Sequence, residues 1–197
     1  MAERGSTDPG PPWPPEAVLR AAIPEDQAGI ARVHAQAWQA AYRDILPAEL
    51  VAGFSLESRE LLWRGLFAGR RPPLVELAAL PGGDIAGFVW CRRIAQPEAG
   101  FGGEIIAVAV APAWQGRGLG RRLMAAAAAR LAALGAASGY LWVYRDNLAA
   151  RGFYERLGGR MVDQDVERYE GQELPIVAYA WKPLDDLLAP KVTEAGP

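Results

Sequence analysis

The stretch EIIAVAVAPAWQGRGLGRRLM, Glu104 to Met124, joins an apolar run to three closely spaced glycines and three arginines. Its first part, Glu104 to Ala111, is too short for a typical helix and rich in β-branched residues, so it predicts a central strand. From Gly118 to Leu134, apolar residues recur at helical spacing, and Gly135 follows as a helix stop. A strand that leads into a helix through a glycine-rich turn indicates an α/β fold with a right-handed crossover.

The rest of the chain divides into elements by the same changes of hydrophobic period. Apolar residues at helical spacing follow Pro24, and a second helical pattern follows Ser55 and stops at Gly69. The loop Pro81 to Asp84 is rich in turn residues and suits a hairpin. The predicted order is strand, two helices, three strands, helix, strand, helix and two strands. The further strands are Val18–Ile23, Leu74–Leu80, Ile85–Arg92, Tyr140–Tyr144, Met161–Tyr169 and Leu174–Trp181, and a short helix runs from Ala149 to Leu157.

Length and composition predict one ordinary domain. The chain has 197 residues, of which 51% are hydrophobic, which agrees with a folded core. Both ends are rich in proline and charge and bury too little surface to offset the entropy of ordering. We therefore expect a flexible tail over residues 1–16, a single domain over residues 17–182 and a second tail over residues 183–197.

Charge and cysteine content exclude several classes of function. Lys and Arg total 21 against 23 for Asp and Glu, so no general affinity for nucleic acid is expected. The single cysteine, Cys91, excludes an intrachain disulfide and a cysteine-based metal cluster, and a reducing cytoplasmic location is the default expectation. No run approaches the roughly 20 apolar residues of a membrane span, and the N-terminus lacks a signal-peptide apolar region.

The glycine-arginine stretch has the chemistry of an anion site. A helix start leaves backbone N–H groups without partners, and no Ser, Thr, Asp or Asn lies between Ala111 and Arg122 to cap them. Its three glycines remove side chains that would keep an anion away, and its three arginines supply positive charge. The alternative is a tight strand-to-helix turn followed by a solvated helix end.

Two common phosphate loops fit this stretch badly. A Walker loop needs a lysine next to its last glycine, but the lysines of this chain are Lys182 and Lys191. A dinucleotide loop that began at Gly116 and Gly118 would need another glycine where Arg121 stands. An NAD-dependent oxidoreductase is therefore a weak alternative.

Two segments resemble the GNAT superfamily of N-acetyltransferases. The loop QGRGLG resembles that family's pyrophosphate loop, Gln/Arg-x-x-Gly-x-Gly/Ala, through Gln115, Gly118 and Gly120. Downstream, RDNLAARGFYERLGG resembles the family's Asn-x-x-Ala-x-x-Phe-Tyr-Glu-x-x-Gly segment, and the likeness covers residues 18–181. Gly159 departs from it, since many members have a phenylalanine there; we expect a loss of packing and not of chemistry. The matching downstream residues are Asn147, Ala150, Phe153, Tyr154, Glu155 and Gly158.

The resemblance implies a GNAT fold, an α/β arrangement in which a mixed, twisted central sheet carries helices on both faces. It also implies acetyl-CoA as co-substrate, without a metal ion. The pyrophosphate would lie at the loop, and the pantetheine arm would lie along the preceding strand. The residues implied in binding acetyl-CoA are Val108, Ala109, Val110, Gln115, Gly116, Arg117, Gly118, Leu119, Gly120, Arg121, Asn147, Ala150 and Tyr154.

Two residues are implied in catalysis by the same resemblance. Glu104 opens the strand before the loop, where the family often places a general base. A base is needed because an amine with a pKa of about 10.4 is mostly ammonium at neutral pH. Tyr154 would protonate the departing thiolate, and a backbone N–H near Val110 would stabilise the oxyanion. The plainer alternatives are an edge carboxylate for Glu104 and a packing aromatic for Tyr154.

The resemblance predicts an N-acetyltransferase that moves the acetyl group of acetyl-CoA to a primary amine by direct attack in a ternary complex. The acceptor is a small amine or an amino group of a peptide or protein, and a homodimer is compatible with the prediction. A non-catalytic acyl-CoA-binding or sensor domain is the alternative. Neither a nucleic acid nor a membrane is expected as a partner.

Four further side chains have less specific interpretations. His34 lies near the apolar stripe of the first helix, and we expect it to be packed and not catalytic. Trp38 and Tyr42 belong either to the core or to the wall of an acceptor site. Cys91 is expected to be a small buried hydrophobic residue.

Overall fold

The computed structural model describes residues 17–95 and 100–187. In this part of the chain, the predicted strands and helices are all present. The elements in chain order are β1 (Val18–Ala21), α1 (Gln27–Tyr42), α2 (Ala48–Gly53), α3 (Leu56–Ala68), β2 (Leu74–Ala79), β3 (Ile85–Arg93), β4 (Gly103–Val110), α4 (Leu119–Ala133), β5 (Gly139–Tyr144), α5 (Leu148–Arg156), β6 (Arg160–Tyr169) and β7 (Gln172–Trp181).

Helix α2 is the one element of this set that the sequence did not predict. It has six residues, and none of them is buried. A short helix without a buried face leaves no stripe of apolar residues at helical spacing, so hydrophobic period carries no signal for it.

The seven strands form one mixed sheet in the order β1-β2-β3-β4-β5-β7-β6. Neighbouring strands are antiparallel except for β4 and β5, which are parallel. The α4 connection between β4 and β5 is the crossover that the sequence predicts. This arrangement confirms the predicted mixed central sheet.

Two apolar clusters cover the two faces of the sheet. On one face, α4 contributes Leu123, Met124 and Leu131, all without exposed surface, and α5 contributes Tyr154. On the other face, Ile30 of α1 and Trp63 of α3 pack on strands β2 to β4. The prediction of helices on both faces is thus confirmed. Because side chains alternate along β3 and β4, each of these strands contributes residues to both clusters.

The folded unit extends beyond residue 182, where the sequence placed the start of the second tail. Leu184 and Leu187 lie in a short helical turn and are 1% and 4% exposed. They pack in the α4 cluster, and the Leu184 N–H donates to the Ala137 carbonyl at 3.1 Å. Proline and charge dominate the composition here, but two leucines three residues apart suffice to bury one face of a turn. The predicted tail over residues 1–16, and residues 188–197 of the predicted tail 183–197, lie outside the described residues.

Gly159, the departure from the family pattern, is explained by Trp181. A Cβ atom at residue 159 would lie 2.8 Å from the Trp181 ring and 2.9 Å from the Tyr154 carbonyl oxygen. The indole is 1% exposed and donates from Nε1 to the Leu157 carbonyl at 3.2 Å. The Trp181 ring of β7 therefore fills the space next to Gly159. The expected loss of packing at this position is wrong.

We predict that Gly159→Ala lowers the free energy of unfolding by about 1–3 kcal/mol, the usual cost of overpacking a core. Gly65→Ala is the matched control, because Gly65 lies inside α3 with no atom within 4 Å of an added Cβ. That substitution is expected to raise the free energy of unfolding by about 0.5–1 kcal/mol. Urea denaturation of the three proteins measures both changes, and equal stability of Gly159→Ala and wild type would contradict the close packing.

Candidate active site

The central feature of the site is the separation of β4 from β5. The two strands pair only at Gly103 with Gly139 and at Glu104 with Tyr140. Beyond these pairs, residues 105–110 of β4 have no strand partner on that side within the described chain. A sheet interior with unpaired backbone groups is unusual, so this edge is available to a ligand.

A β-bulge lies in β4 at the point where the strands separate. Trp90 pairs with Ala107 and Cys91 pairs with Ile105, which leaves Ile106 as an extra residue in β4. Bulges increase local twist and redirect side chains, and they are frequent next to active sites.

A cavity of about 420 Å³ occupies the gap between the two strands. Residues 105–110 of β4 and residues 141–144 of β5 form two of its sides. Helix α1 contributes His34, Trp38 and Tyr42, and α5 contributes Ala150 and Tyr154. The cavity is therefore open to ligand contacts from both faces of the sheet.

The loop after β4 has the form of an anion cradle. Gly116 and Gly118 have φ values of 73° and 77° and open space where a side chain would begin. The first hydrogen bond of α4 runs from the Arg122 N–H to the Gly118 carbonyl at 3.3 Å. Within the described residues, the N–H groups from Gly116 to Arg121 have no backbone acceptor. These residues fit a phosphate group held by backbone amides.

Three side chains at the loop make contacts within the protein. The Gln115 side chain donates from Nε2 to the Val110 carbonyl at 3.0 Å and so closes the loop on the end of β4. Leu119 is 1% exposed and packs in the core, which leaves only its backbone N–H for a ligand. The Arg117 guanidinium lies over the Trp114 ring, 4.6 Å from its centroid.

The predicted residues of α5 lie on the cavity side opposite β4. Asn147 caps this helix, since its Oδ1 accepts from the Ala150 N–H at 3.1 Å. The Tyr154 ring packs between the core and the cavity, close to Tyr179 and Trp181. Burial, with a smaller contribution from Tyr42, raises the pKa of Tyr154, so its hydroxyl keeps its proton at neutral pH.

Glu104 lies outside the set of residues that line the cavity, although its neighbour Ile105 belongs to it. The Glu104 carboxylate pairs with Arg92 on β3, with 2.6 Å between Oε2 and the arginine Nε. Its side chain is 15% exposed. Glu104 precedes the bulge and the start of the gap in β4, so the structure places it beside the cavity and not in its wall.

Several cavity residues carry chemistry that sequence analysis missed. Phe54, Arg59 and Glu167 come from three separate segments and share no motif spacing. The Tyr144 hydroxyl donates a hydrogen bond to Glu167 Oε2, with 2.6 Å between the two oxygens. Trp38 and Tyr42, whose location the sequence left open, form part of the cavity wall.

His34 and Cys91 are packed, as the sequence predicts. His34 Nδ1 accepts from Trp63 Nε1 at 3.2 Å, and burial, followed by the charge of Arg59, lowers the pKa of His34 to about 3. The imidazole is therefore neutral. Cys91 is 1% exposed, and burial raises the pKa of its thiol to about 11, so it is not an activated nucleophile.

Two other types of site have no candidate in the described residues. No group of three or more His, Cys, Asp or Glu side chains is placed to hold a metal ion in residues 17–95 and 100–187. Over the same residues, no helix has the length and apolar character to span a bilayer.

The protein is therefore of the α/β class, with a mixed sheet that opens between β4 and β5 beside a glycine-rich loop. A family model described as the acetyltransferase (GNAT) family matches residues 36–159. The chain therefore belongs to the GNAT acetyltransferase family.

Curated relatives carry related names. The chain is 28% identical over 169 residues to the uncharacterized N-acetyltransferase YuaI of Bacillus subtilis (strain 168), with 86% of this chain and 95% of that protein aligned. It is 34% identical over 171 residues to a mycothiol acetyltransferase of Nocardiopsis dassonvillei, with 81% of this chain aligned. The alignment spans only 51% of that larger protein.

Solved structures share the fold at low sequence identity. The PaiA N-acetyltransferase of Thermoplasma acidophilum, solved in complex with coenzyme A, has a TM-score of 0.60 and 20% identity over 82% of this chain and 97% of that one. The ribosomal-protein-S18-alanine N-acetyltransferase of Escherichia coli has a TM-score of 0.58 and 21% identity over 85% and 94%.

The buried His34 makes the stability of the protein depend on pH. Its pKa is about 3 in the folded state and about 6.5 in an unfolded chain. Above pH 6.5 both states are neutral, whereas below it the unfolded chain binds a proton that the folded state refuses, so stability falls as pH decreases toward 3. We expect wild type to lose about 2 kcal/mol more than His34→Asn between pH 7 and pH 5.

Asparagine is the conservative choice because its side-chain oxygen can still accept from Trp63 Nε1. Urea denaturation at both pH values measures the difference, and contributions from other titrating groups cancel between the two proteins. Parallel pH dependence of wild type and His34→Asn would show that the folded imidazole is charged.

Proposed function

We propose that this protein transfers the acetyl group of acetyl-CoA to a primary amine by direct attack in a ternary complex. The observation that carries the proposal is the unpaired edge of β4, which connects the amide cradle of the loop to the cavity beneath Tyr154. Membership of the acetyltransferase family and the coenzyme A complex of a structural neighbour support it.

The residues of the loop and of β4 would hold acetyl-CoA. The N–H groups from Gly116 to Arg121 would bind the pyrophosphate, aided by the arginine charges. The backbone groups of Val108, Ala109 and Val110 that face the gap would bind the amide-bearing pantetheine arm as an added strand does, apart from the Val110 carbonyl, which accepts from Gln115. Asn147 and Ala150 would line the opposite side of that arm. Acetyl-CoA itself supplies the activated thioester.

Three groups of this chain would handle the charges and protons of the transfer. Glu104, acting through water, would accept the proton that the attacking amine loses. A backbone N–H near Val110 would stabilise negative charge on the carbonyl oxygen as the new C–N bond forms. Tyr154 would give its proton to the thiolate when the C–S bond breaks. A cytoplasmic location and a homodimeric assembly remain predictions.

We predict that Gly118→Asp weakens acetyl-CoA binding by at least about tenfold, which is the loss of one charge-assisted hydrogen bond or more. The new carboxylate would occupy the N–H groups at the start of α4 and repel the pyrophosphate. Isothermal titration calorimetry with acetyl-CoA measures the change in Kd.

Gly82→Asp is the matched control for this experiment. Gly82 lies in a hairpin turn with a φ of 92° and open space at its Cβ position, so the same side chain is added with comparable backbone strain away from the cradle. Equal affinities in wild type and a folded Gly118→Asp variant would mean that the loop is only a turn.

The catalytic assignments make separate predictions for two variants. Glu104→Gln should reduce the rate most near neutral pH and recover partly at alkaline pH, where more of the amine is already deprotonated. Tyr154→Phe should lower kcat by about 10²–10⁴-fold without a matching rise in the KM for acetyl-CoA. Thiol release from acetyl-CoA, measured across pH with an amine panel, tests both.

Three outcomes of this test decide between the roles. A pH-independent loss in Glu104→Gln would remove Glu104 from the base role, and an unchanged kcat in Tyr154→Phe would make Tyr154 a packing residue. Binding of acetyl-CoA without thiol release for any amine would favour the non-catalytic alternative.

A further inference from the structure

Arg59 places a guanidinium at the α3 end of the cavity. Its Cζ lies 3.8 Å from the centroid of the Phe54 ring, which holds the group over a flat apolar surface. Burial lowers the pKa of Arg59, so part of its hydration is already lost. Within residues 17–95 and 100–187, no carboxylate forms an ion pair with Arg59. The ion pairs in this part of the chain involve other arginines. A partly desolvated cation of this kind favours an anionic ligand.

Glu167 places the opposite charge at the rim of the same cavity. Its carboxylate accepts a hydrogen bond from the Tyr144 hydroxyl, with 2.6 Å between the hydroxyl oxygen and Oε2. This hydrogen bond holds the carboxylate at the cavity wall. Burial, followed by this hydrogen bond, raises the pKa of Tyr144, so the phenol stays protonated at neutral pH.

A continuous wall of aromatic rings separates the two charges. Phe54 stacks on Trp38 with 4.0 Å between ring centroids, and Trp38 contacts Tyr42 at 4.9 Å. Tyr42 then contacts Tyr144 edge to face at 5.3 Å. The cavity therefore has a positive end at Arg59, a negative end at Glu167, and an apolar surface between them.

The negative end coincides with the end at which acetyl transfer is proposed. Tyr42, which contacts Tyr144, has a side-chain hydrogen bond with Asn147. Tyr42 also contributes, after burial, to the raised pKa of Tyr154. The same α5 residues lie against the proposed position of the thioester. An amine bound at this end would be close to the reacting carbonyl.

We propose that the acceptor is an amine that also carries a carboxylate or phosphate group, separated from the amino group by an apolar spacer. Arg59 binds the anionic group, the aromatic wall binds the spacer, and Glu167 draws the ammonium group to the α5 end. This inference rests on the proposed acetyl transfer, and it defines the class of acceptor for that same site.

The test compares acceptors that differ only in their anionic group. ω-Aminocarboxylates from γ-aminobutyrate to ω-aminooctanoate are assayed against their methyl esters, with aminoalkyl phosphates of the same lengths as a second arm. Thiol release from acetyl-CoA gives kcat and KM. We expect the wild-type kcat/KM for the best acid to exceed that for its ester by about ten- to a hundredfold, the size of a charge-assisted hydrogen bond.

Two variants and two controls connect this preference to the proposed residues. Arg59→Gln should remove the preference for acids by raising their KM while leaving the esters nearly unchanged. Glu167→Gln should raise the KM of acids and esters alike. Arg64→Gln, on the exposed side of α3, and Asp163→Asn, exposed on β6, should match wild type.

The possible failures are distinguishable. Equal kcat/KM for acids and esters, or an acid preference that survives in Arg59→Gln, would overturn the inference and leave acetyl transfer intact. If no amine releases thiol, the proposed function fails, and the acceptor site is then tested by thermal shift in the presence of coenzyme A. Stabilisation by an acid but not by its ester, lost in Arg59→Gln, supports the site; no stabilisation by any acid overturns it.

Discussion

The parting of two parallel strands is the constraint on which the rest of this structure depends. β4 and β5 share only two residue pairs, yet each is held firmly on its outer side. β3 pairs with β4 along most of its length, and β7 pairs with every residue of β5 from Gly139 to Tyr144. Because these outer ladders fix both strands, the gap between them cannot close by a local shift. The unpaired backbone of β4 therefore remains available to a ligand that brings its own donors and acceptors.

Local charge, and not net charge, distinguishes the two ends of the gap. The whole chain carries a formal net charge of −2, which gives no long-range preference for an anion. At the loop, glycines expose backbone N–H groups and arginines add positive charge, whereas across the sheet the aromatic wall ends at Glu167. Under the proposed function, this arrangement would let the pyrophosphate of the cofactor bind at the loop while the amino end of the acceptor lies near Glu167.

Sequence predicted the parts of the site that lie in consecutive residues. A strand, a glycine loop and a helix form one local unit, so the segment from Glu104 to Leu134 carried its own signal. Phe54, Arg59 and Glu167 gave none, because the fold brings them together from a helix end, a second helix and an outer strand. The same limit applies to Gly159, whose missing aromatic neighbour is supplied by Trp181 from β7. Short-range composition also misplaced the domain end, because the burial of Leu184 and Leu187 depends on their contact with α4.

Of the tyrosines that line the cavity, Tyr144 and Tyr154 are the two candidate proton donors, and their hydrogen bonds separate their roles. Burial raises the pKa of both Tyr144 and Tyr154, so either could serve as a proton donor on titration grounds alone. The Tyr144 hydroxyl, however, already donates a hydrogen bond to the Glu167 carboxylate. Giving that proton to a thiolate would leave a phenolate against a carboxylate in a partly desolvated site, which is a costly arrangement of like charges. Tyr154 has no such carboxylate partner within the described residues, so loss of its proton leaves only one new charge. The electrostatics of the cavity thus favour Tyr154 as the acid and leave Tyr144 to hold Glu167 in place.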